Sequence, residues 1–195
     1  LSLKNMANSI SQLRNNKNIN SKWIPDPTTA LSTSGAGGKS SYGRLSLWAN
    51  FNNVKQKILG LNQIAGGFEA VYVTGSLTGG TGSGVLIDLA YLLRQLINPN
   101  YLFSILMIPK ESDLDMNNSN FFINSYYAIK ALEYYSQQGT SFKVMWPDNN
   151  PLPDSVGLKP PYDTNIIVSP DYFSQSEINN TFMCDYQDLS PLFKT

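Results

Sequence analysis

Residues 71–96 read VYVTGSLTGGTGSGVLIDLAYLLRQL, and the reading of the chain turns on their middle. Val71, Tyr72, Val73 and Thr74 are β-branched or aromatic, the types that suit a pleated strand surface. Leu86, Leu89, Leu93 and Leu96 recur at helical spacing. Between them lie Thr78, Gly79, Gly80, Thr81, Gly82, Ser83 and Gly84, with scarcely a side chain among them. A strand hands over to a helix through a turn stripped of bulk. Either the backbone packs closely there, or a ligand occupies the space. In an α/β sheet the crevice at the carboxyl end of a strand is the usual ligand site. A helix N-terminus offers unpaired N–H groups and partial positive charge, which suit phosphate. The hydroxyls of Thr81 and Ser83 add donors. These residues favour phosphate over a tight turn packed without a ligand.

The helix after the turn is expected over residues 85–97. Asp88 then falls in its first turn and Arg94 in its last, the favourable ends of the helix dipole. Asn98, Pro99 and Asn100 stop it. Residues 101–108, YLFSILMI, read as a second apolar strand, ended by Pro109. Residues 68–108 therefore form a β-α-β unit, with parallel strands expected to be buried on both faces. Upstream, residues 42–59 carry helical spacing and Gly66-Gly67 marks a turn. Downstream, residues 121–135 read as a helix, 143–146 as a short strand and 164–168 as another strand. Residues 6–13 allow a short helix. Residues 23–27, WIPDP, form a stiff extended connector, because proline restricts itself and the residue before it.

Composition narrows the function classes. The chain has 195 residues, 42% hydrophobic and 14% charged, with a net charge of +0. It is long enough for one domain with a real core. Nothing in the charge balance marks nucleic acid or an anionic membrane as partner. The chain has no histidine and one cysteine, Cys184, which excludes an internal disulfide, Ser-His-Asp catalysis and Cys-His catalysis. A Cys-based zinc site is disfavoured. No run reaches the roughly 20 apolar residues of a membrane-spanning helix, and no signal peptide is visible. A reducing, cytoplasmic setting is expected.

Two common nucleotide motifs fail. GGKS at residues 37–40 ends like a Walker A loop, but the first glycine that motif needs falls on Thr33. The Rossmann pattern starting at Gly80-x-Gly82 meets Val85 where its last glycine belongs. A third pattern fits. SLTGGTGSG, residues 76–84, resembles the phosphate signature of the tubulin/FtsZ superfamily, with Thr78 in place of the first glycine. GAGGKSSYGR, residues 35–44, resembles a second loop of that family, in the family's order. The LDLAYLLR-like helix from Ile87 and NSYYAIKALEYY from Asn124 look like those of bacterial tubulin-like proteins. The likeness covers about residues 23–168.

The resemblance implies an α/β fold: a Rossmann-like parallel sheet flanked by helices, incomplete at both ends. It implies a polar N-terminal segment, residues 1–22, and a partial nucleotide-binding domain, residues 23–195. It implies that Ser76, Gly79, Gly80, Thr81, Gly82, Ser83 and Gly84 hold the α- and β-phosphates of GTP or GDP, with Mg²⁺. Gly35, Ala36, Gly37, Gly38 and Lys39 then lie near the γ-phosphate. Lys39 either adds a cation there or is a solvated loop lysine. Glu111 is the ribose candidate, against the ordinary fate of a solvent-facing loop carboxylate. Ser169 stands where the family places its guanine-reading asparagine, and Asp171 or Tyr172 is the substitute. Asn124 is expected to be polar glue inside a helix rather than a ligand contact.

The resemblance further implies a chain that partners with copies of itself in filaments, with GTP hydrolysed at the subunit interface. The acidic loop that would orient water is not found before Thr195, and the family's first nucleotide loop would lie before Leu1. GTPase activity is expected only of the full-length, assembled protein. The alternative is a tubulin-like scaffold that binds nucleotide weakly or not at all.

Overall fold

Three strands, β1 (Ala70–Ser76), β2 (Tyr101–Met107) and β3 (Thr164–Val168), form one parallel sheet in that spatial order. The computed structural model describes residues 7–26, 36–109 and 120–169. The helices are α1 (Ala7–Asn15), α2 (Ser40–Ala49), α3 (Phe51–Ile64), α4 (Gly80–Leu96), α5 (Asn120–Ser136) and the short α6 (Asp154–Gly157). α4 links β1 to β2, and α5 lies in the crossover from β2 to β3. Both crossovers step the same way along the sheet, so connections of one hand put both helices on one face. Leu86, Ala90 and Leu93 of α4 and Ala128 and Leu132 of α5 accordingly meet Leu102 and Leu106 of β2 in one apolar core.

The opposite face corrects the expectation of two buried faces. Tyr72 and Tyr101 are 61% and 52% exposed, and Met107 and Ile166 are also exposed. YLFSILMI looks uniformly apolar but alternates in the structure. Leu102, Ser104 and Leu106 turn inward, and Tyr101 and Met107 turn out. The strands are parallel as expected, with Tyr72 opposite Phe103 and Ile105 opposite Ile166. Fully buried Ser104 donates to Asn165 Oδ1 at 2.7 Å, which ties β2 to β3 by side chains as well.

Three further boundaries differ from the sequence expectation. The single helix over 42–59 is two helices, broken at Asn50, whose φ of −111° and ψ of 19° leave the helical region. Buried Phe51 stacks on Trp146 just beyond the break, with ring centroids 5.6 Å apart. The helix expected from Val85 begins at Gly80, so the glycine turn is its first turn and Asp88 lies well inside it. The strand expected at 143–146 is only a bridge between Met145 and Pro151. Its neighbours bond locally instead: Phe142 N–H donates to the Gly157 carbonyl and Leu152 N–H to the Val144 carbonyl.

A second core joins Ile10, Leu13 and Ile19, from the polar N-terminal stretch, to Leu45, Trp48, Phe51, Tyr91 and Trp146. Burial, followed by the neighbouring Tyr135, pushes the Tyr91 phenol up to about 12. Its O–H donates to the Lys159 carbonyl at 3.0 Å. Arg94, 3% exposed, donates to the Pro160 and Pro161 carbonyls and to Asp163 Oδ1. The other Asp163 oxygen accepts from the Leu102 N–H at 2.6 Å, so this pair anchors the approach to β3. Among the described residues no helix is long and apolar enough to cross a membrane.

Candidate functional site

α2 and α4 lie side by side and run the same way. Lys39 and Ser40 meet Gly80 and Gly84, and one turn further Arg44 reaches Asp88. Glycine makes this approach possible. A Cβ on Gly43 would lie 1.9 Å from the Gly80 carbonyl oxygen, and one on Gly80 2.5 Å from the Lys39 backbone. On Gly84 it would meet the Ser40 carbonyl at 2.1 Å, and on Gly82 the Ser76 carbonyl at 1.9 Å. Real Cβ atoms do not come so close to backbone, so packing alone requires these four glycines. Gly79 and Gly38 are different: a Cβ on either meets nothing within 4 Å. The bare turn is therefore close-packed on one side and open on the other.

Two helix N-termini face that open side. Gly79 is the N-cap of α4 and supplies no side-chain cap, and Ser83 N–H to Gly79 carbonyl at 3.2 Å is the first bond of the helix. The N–H groups of Gly80, Thr81 and Gly82 have no partner within the helix. Lys39 is likewise the N-cap of α2 without a side-chain bond, and the Tyr42 N–H reaches back to its carbonyl. Neither helix has an acidic residue in its first turn. Two parallel, uncapped dipole ends in contact make a place for negative charge. Ahead of α2, the Lys39 N–H bonds the Ala36 carbonyl at 2.9 Å, and the turn runs through Gly37 and Gly38 with φ of 52° and 70°. The Lys39 side chain is exposed, with Nζ 5.1 Å from the centre of the Tyr42 ring.

A polar cluster backs both turns. Asn124 of α5 is 7% exposed, and its Nδ2 donates to the Gly38 carbonyl at 2.8 Å and the Thr78 carbonyl at 3.0 Å. Its Oδ1 accepts from Ser40 Oγ at 2.8 Å. Ser40 Oγ and Ser83 Oγ are 2.7 Å apart, and Ser83 Oγ is also 2.7 Å from the Gly79 carbonyl. Thr78, where the family pattern has glycine, is tied to the strand end: its Oγ1 lies 2.6 Å from Ser76 Oγ, which also accepts its N–H.

Below the turns, buried Asp88 accepts from Arg44 Nε at 2.7 Å, Arg44 Nη2 at 3.0 Å and Trp48 Nε1 at 2.6 Å. The Arg44 guanidinium also lies 4.4 Å from the centre of the Trp23 ring. The role the sequence suggested for Asp88, a first-turn dipole charge, gives way to this one. It is the buried counter-charge that pins α2 to α4, because the helix begins before Val85. The arginine of the second glycine motif belongs to this clamp. Ser40 was not singled out from sequence, and only its position directly after Lys39 hinted at it.

Ser76, Gly79, Gly80, Thr81, Gly82, Ser83 and Gly84 thus meet Ala36, Gly37, Gly38 and Lys39 at the carboxyl end of β1. Ser169 follows β3 at the same carboxyl end of the sheet, two strands away, or roughly 10 Å at ordinary strand spacing. Gly35, Glu111, Asp171 and Tyr172 lie outside the described residues. A cavity of about 540 Å³ opens elsewhere, beside Trp23, Arg44, Trp48 and Tyr135. Among the described residues no group of three His, Cys, Asp or Glu could hold a metal by itself.

A family described as "Tubulin like" matches residues 1–187. Among solved structures, the chain is similar to CetZ from Methanosaeta thermophila strain DSM 6194, with a TM-score of 0.52 and 17% identity. That likeness covers 84% of this chain and 40% of the CetZ chain, so the present sequence spans well under half of that relative's length. At this identity the likeness speaks for the fold. No curated protein matches the chain.

Proposed function

The chain belongs to the tubulin-like family, and from that premise we propose that its two glycine turns bind the phosphates of GTP or GDP. The observation that carries this reading is the open space over Gly79 and Gly38, in front of two uncapped helix N-termini. A phosphate group fits such a cradle, because backbone N–H groups and the helix dipoles supply the positive end. The N–H groups of Gly80, Thr81 and Gly82 hold the α- and β-phosphates, with Thr81 as a hydroxyl donor, while the Ser83 hydroxyl, expected as a second donor, bonds behind the turn. Gly35 to Lys39 border the γ-phosphate, and the Lys39 ammonium swings towards it. Mg²⁺ is bound mainly through phosphate oxygens, which needs few protein carboxylates. Glu111 remains the ribose candidate, and Ser169 with Asp171 the base candidates.

Bound GTP would supply the energy-rich phosphoanhydride. This chain's residues position its phosphates and screen their charge, the main tasks in phosphoryl transfer. The whole protein assembles with copies of itself into filaments in the cytoplasm, and hydrolysis takes place at the interface between subunits.

Titration calorimetry of the full-length protein with GTP and GDP in Mg²⁺ tests the reading. Micromolar or tighter binding that Gly79→Val weakens at least tenfold supports it, whereas no heat from either nucleotide removes it. Gly79 is the position to change, since a Cβ there meets no protein atom within 4 Å. Electron microscopy with and without GTP tests the filament claim, and an absence of nucleotide-dependent polymer counts against it. The second reading, a scaffold with little nucleotide affinity, draws on Thr78, which brings a side chain into a position the family keeps bare.

A further inference from the structure

The hydroxyls and the amide behind the glycine turns do not have enough protons for every contact they make. Ser40 and Ser83 have one hydroxyl proton each. Three short contacts call on those two protons: Ser40 to Asn124 Oδ1, Ser40 to Ser83, and Ser83 to the Gly79 carbonyl. The Gly79 carbonyl already accepts the Ser83 N–H, so it is the acceptor least in need. The arrangement that leaves nothing buried unsatisfied runs from Ser83 Oγ to Ser40 Oγ to Asn124 Oδ1. The amide orientation is fixed independently, because the group facing the Gly38 and Thr78 carbonyls must be the NH₂. The chain is thus directional, from the first turn of α4 through α2 to α5, and then back to both turns at once.

The two carbonyls Asn124 holds belong to Gly38 itself and to the residue just before Gly79. Gly38 and Gly79, one in each turn, both have open space in front of them. One buried side chain therefore sets the separation of the two open positions without itself facing the opening. We propose that Asn124 is a positioning residue that locks the Ala36–Lys39 turn against the Gly79–Gly84 turn, so that preference for a third phosphate depends on it. This rests on the reading of the turns as a nucleotide site. With the lock intact, both turns are held ready for one ligand that bridges them. Without it, the α4 turn still takes two phosphates, and the 36–39 turn no longer stands at the right distance for the third.

Asn124→Asp in the full-length protein is the direct test, since it keeps the shape but loses both donors and sets a carboxylate against two carbonyls. Asn124→Ala, which adds no charge, is measured alongside in case the aspartate variant folds poorly. Two readouts are taken. The first is affinity for GTP and for GDP. GTP binding is expected to weaken at least tenfold and GDP binding less than threefold. Equal weakening of both overturns the proposal, because general loosening would do that. The second is amide hydrogen exchange without nucleotide. Residues 36–40 and 79–82 are expected to exchange faster together, and faster exchange in one turn alone overturns the proposal. If the wild-type protein binds neither nucleotide, the nucleotide reading fails, and the exchange result decides the lock by itself.

Discussion

A methyl group on Gly43 would stand 1.9 Å from the carbonyl oxygen of Gly80. The two helices touch backbone to backbone at this point, and no side-chain adjustment relieves the clash. Gly43→Ala should cost about 3 kcal/mol, at the upper end for overpacking, since both partners are main chain. Gly82→Ala should behave alike against the Ser76 carbonyl. Gly79→Ala, at an ordinary φ of −81° with free space around it, should change stability by less than about 0.5 kcal/mol. Urea unfolding of the three variants checks this. A Gly79 variant as unstable as Gly43→Ala would contradict the division of the turn into a packed side and an open side.

Removing the Asp88 carboxylate strands three N–H donors, two of Arg44 and one of Trp48. Asp88→Ala leaves Arg44 and Trp48 Nε1 facing a buried gap and should destabilise by roughly 3 kcal/mol. The low end of the usual range applies because the Arg44 side chain is 29% exposed and recovers some hydration. Asp88→Asn retains an acceptor and should lose less. Equal losses for the two variants, by denaturant titration, would contradict this, because they would mean that a neutral acceptor contributes nothing and the clamp depends on the charge alone.

Arg94 and Asp163 should matter for the sheet. Asp163→Ala removes the partner of a guanidinium that is 3% exposed and of the Leu102 N–H. The Pro160 and Pro161 carbonyls still hold the guanidinium, so the expected loss is about 2 kcal/mol, the scale of hydrogen bonds to charged groups. Hydrogen exchange at Leu102 should rise more than the global loss accounts for. Unchanged protection there would contradict the role given to Asp163.

Alkaline pH offers a test through Tyr91. Its phenol is raised from an ordinary value near 10 to about 12 in the folded protein, by burial first and by Tyr135 second. A raised folded value means that the neutral form stabilises the fold. The contribution is complete below pH 10 and is lost as pH climbs from 10 towards 12. Tyr91→Phe should cost about 1 kcal/mol at neutral pH, for the bond to the Lys159 carbonyl, and flatten the decline above pH 10. An identical alkaline decline in both proteins would assign the titration elsewhere.

The sheet, its parallel direction and the glycine turn at the end of β1 were legible in the sequence, because β-branched runs and helical leucine spacing are local signals. The start of α4 was not. Glycine has low helix propensity, so Gly80 to Gly84 read as a loop, whereas close packing against α2 holds them in a helix. The same tertiary term moved Asp88 from a helix-end charge to a buried clamp. YLFSILMI misled for another reason: an apolar run does not say whether both of its faces are covered. Asn124 reads from sequence as polar glue within its own helix, but its bonds reach Gly38, Ser40 and Thr78 in other elements, and no local pattern carries such contacts.

The chain's three tryptophans are Trp23, Trp48 and Trp146. Trp48 is 5.1 Å from the first and 6.0 Å from the last, centre to centre, and its ring nitrogen ends on Asp88. The protein's ultraviolet emission thus arises from a single cluster on the α2 side of the molecule, while the sheet holds tyrosine and phenylalanine alone among its aromatics. Melting followed by tryptophan emission reports the helical core and its clamp, and ellipticity at the peptide wavelengths reports helices and sheet together. Superimposable curves would establish that the two cores unfold as one unit.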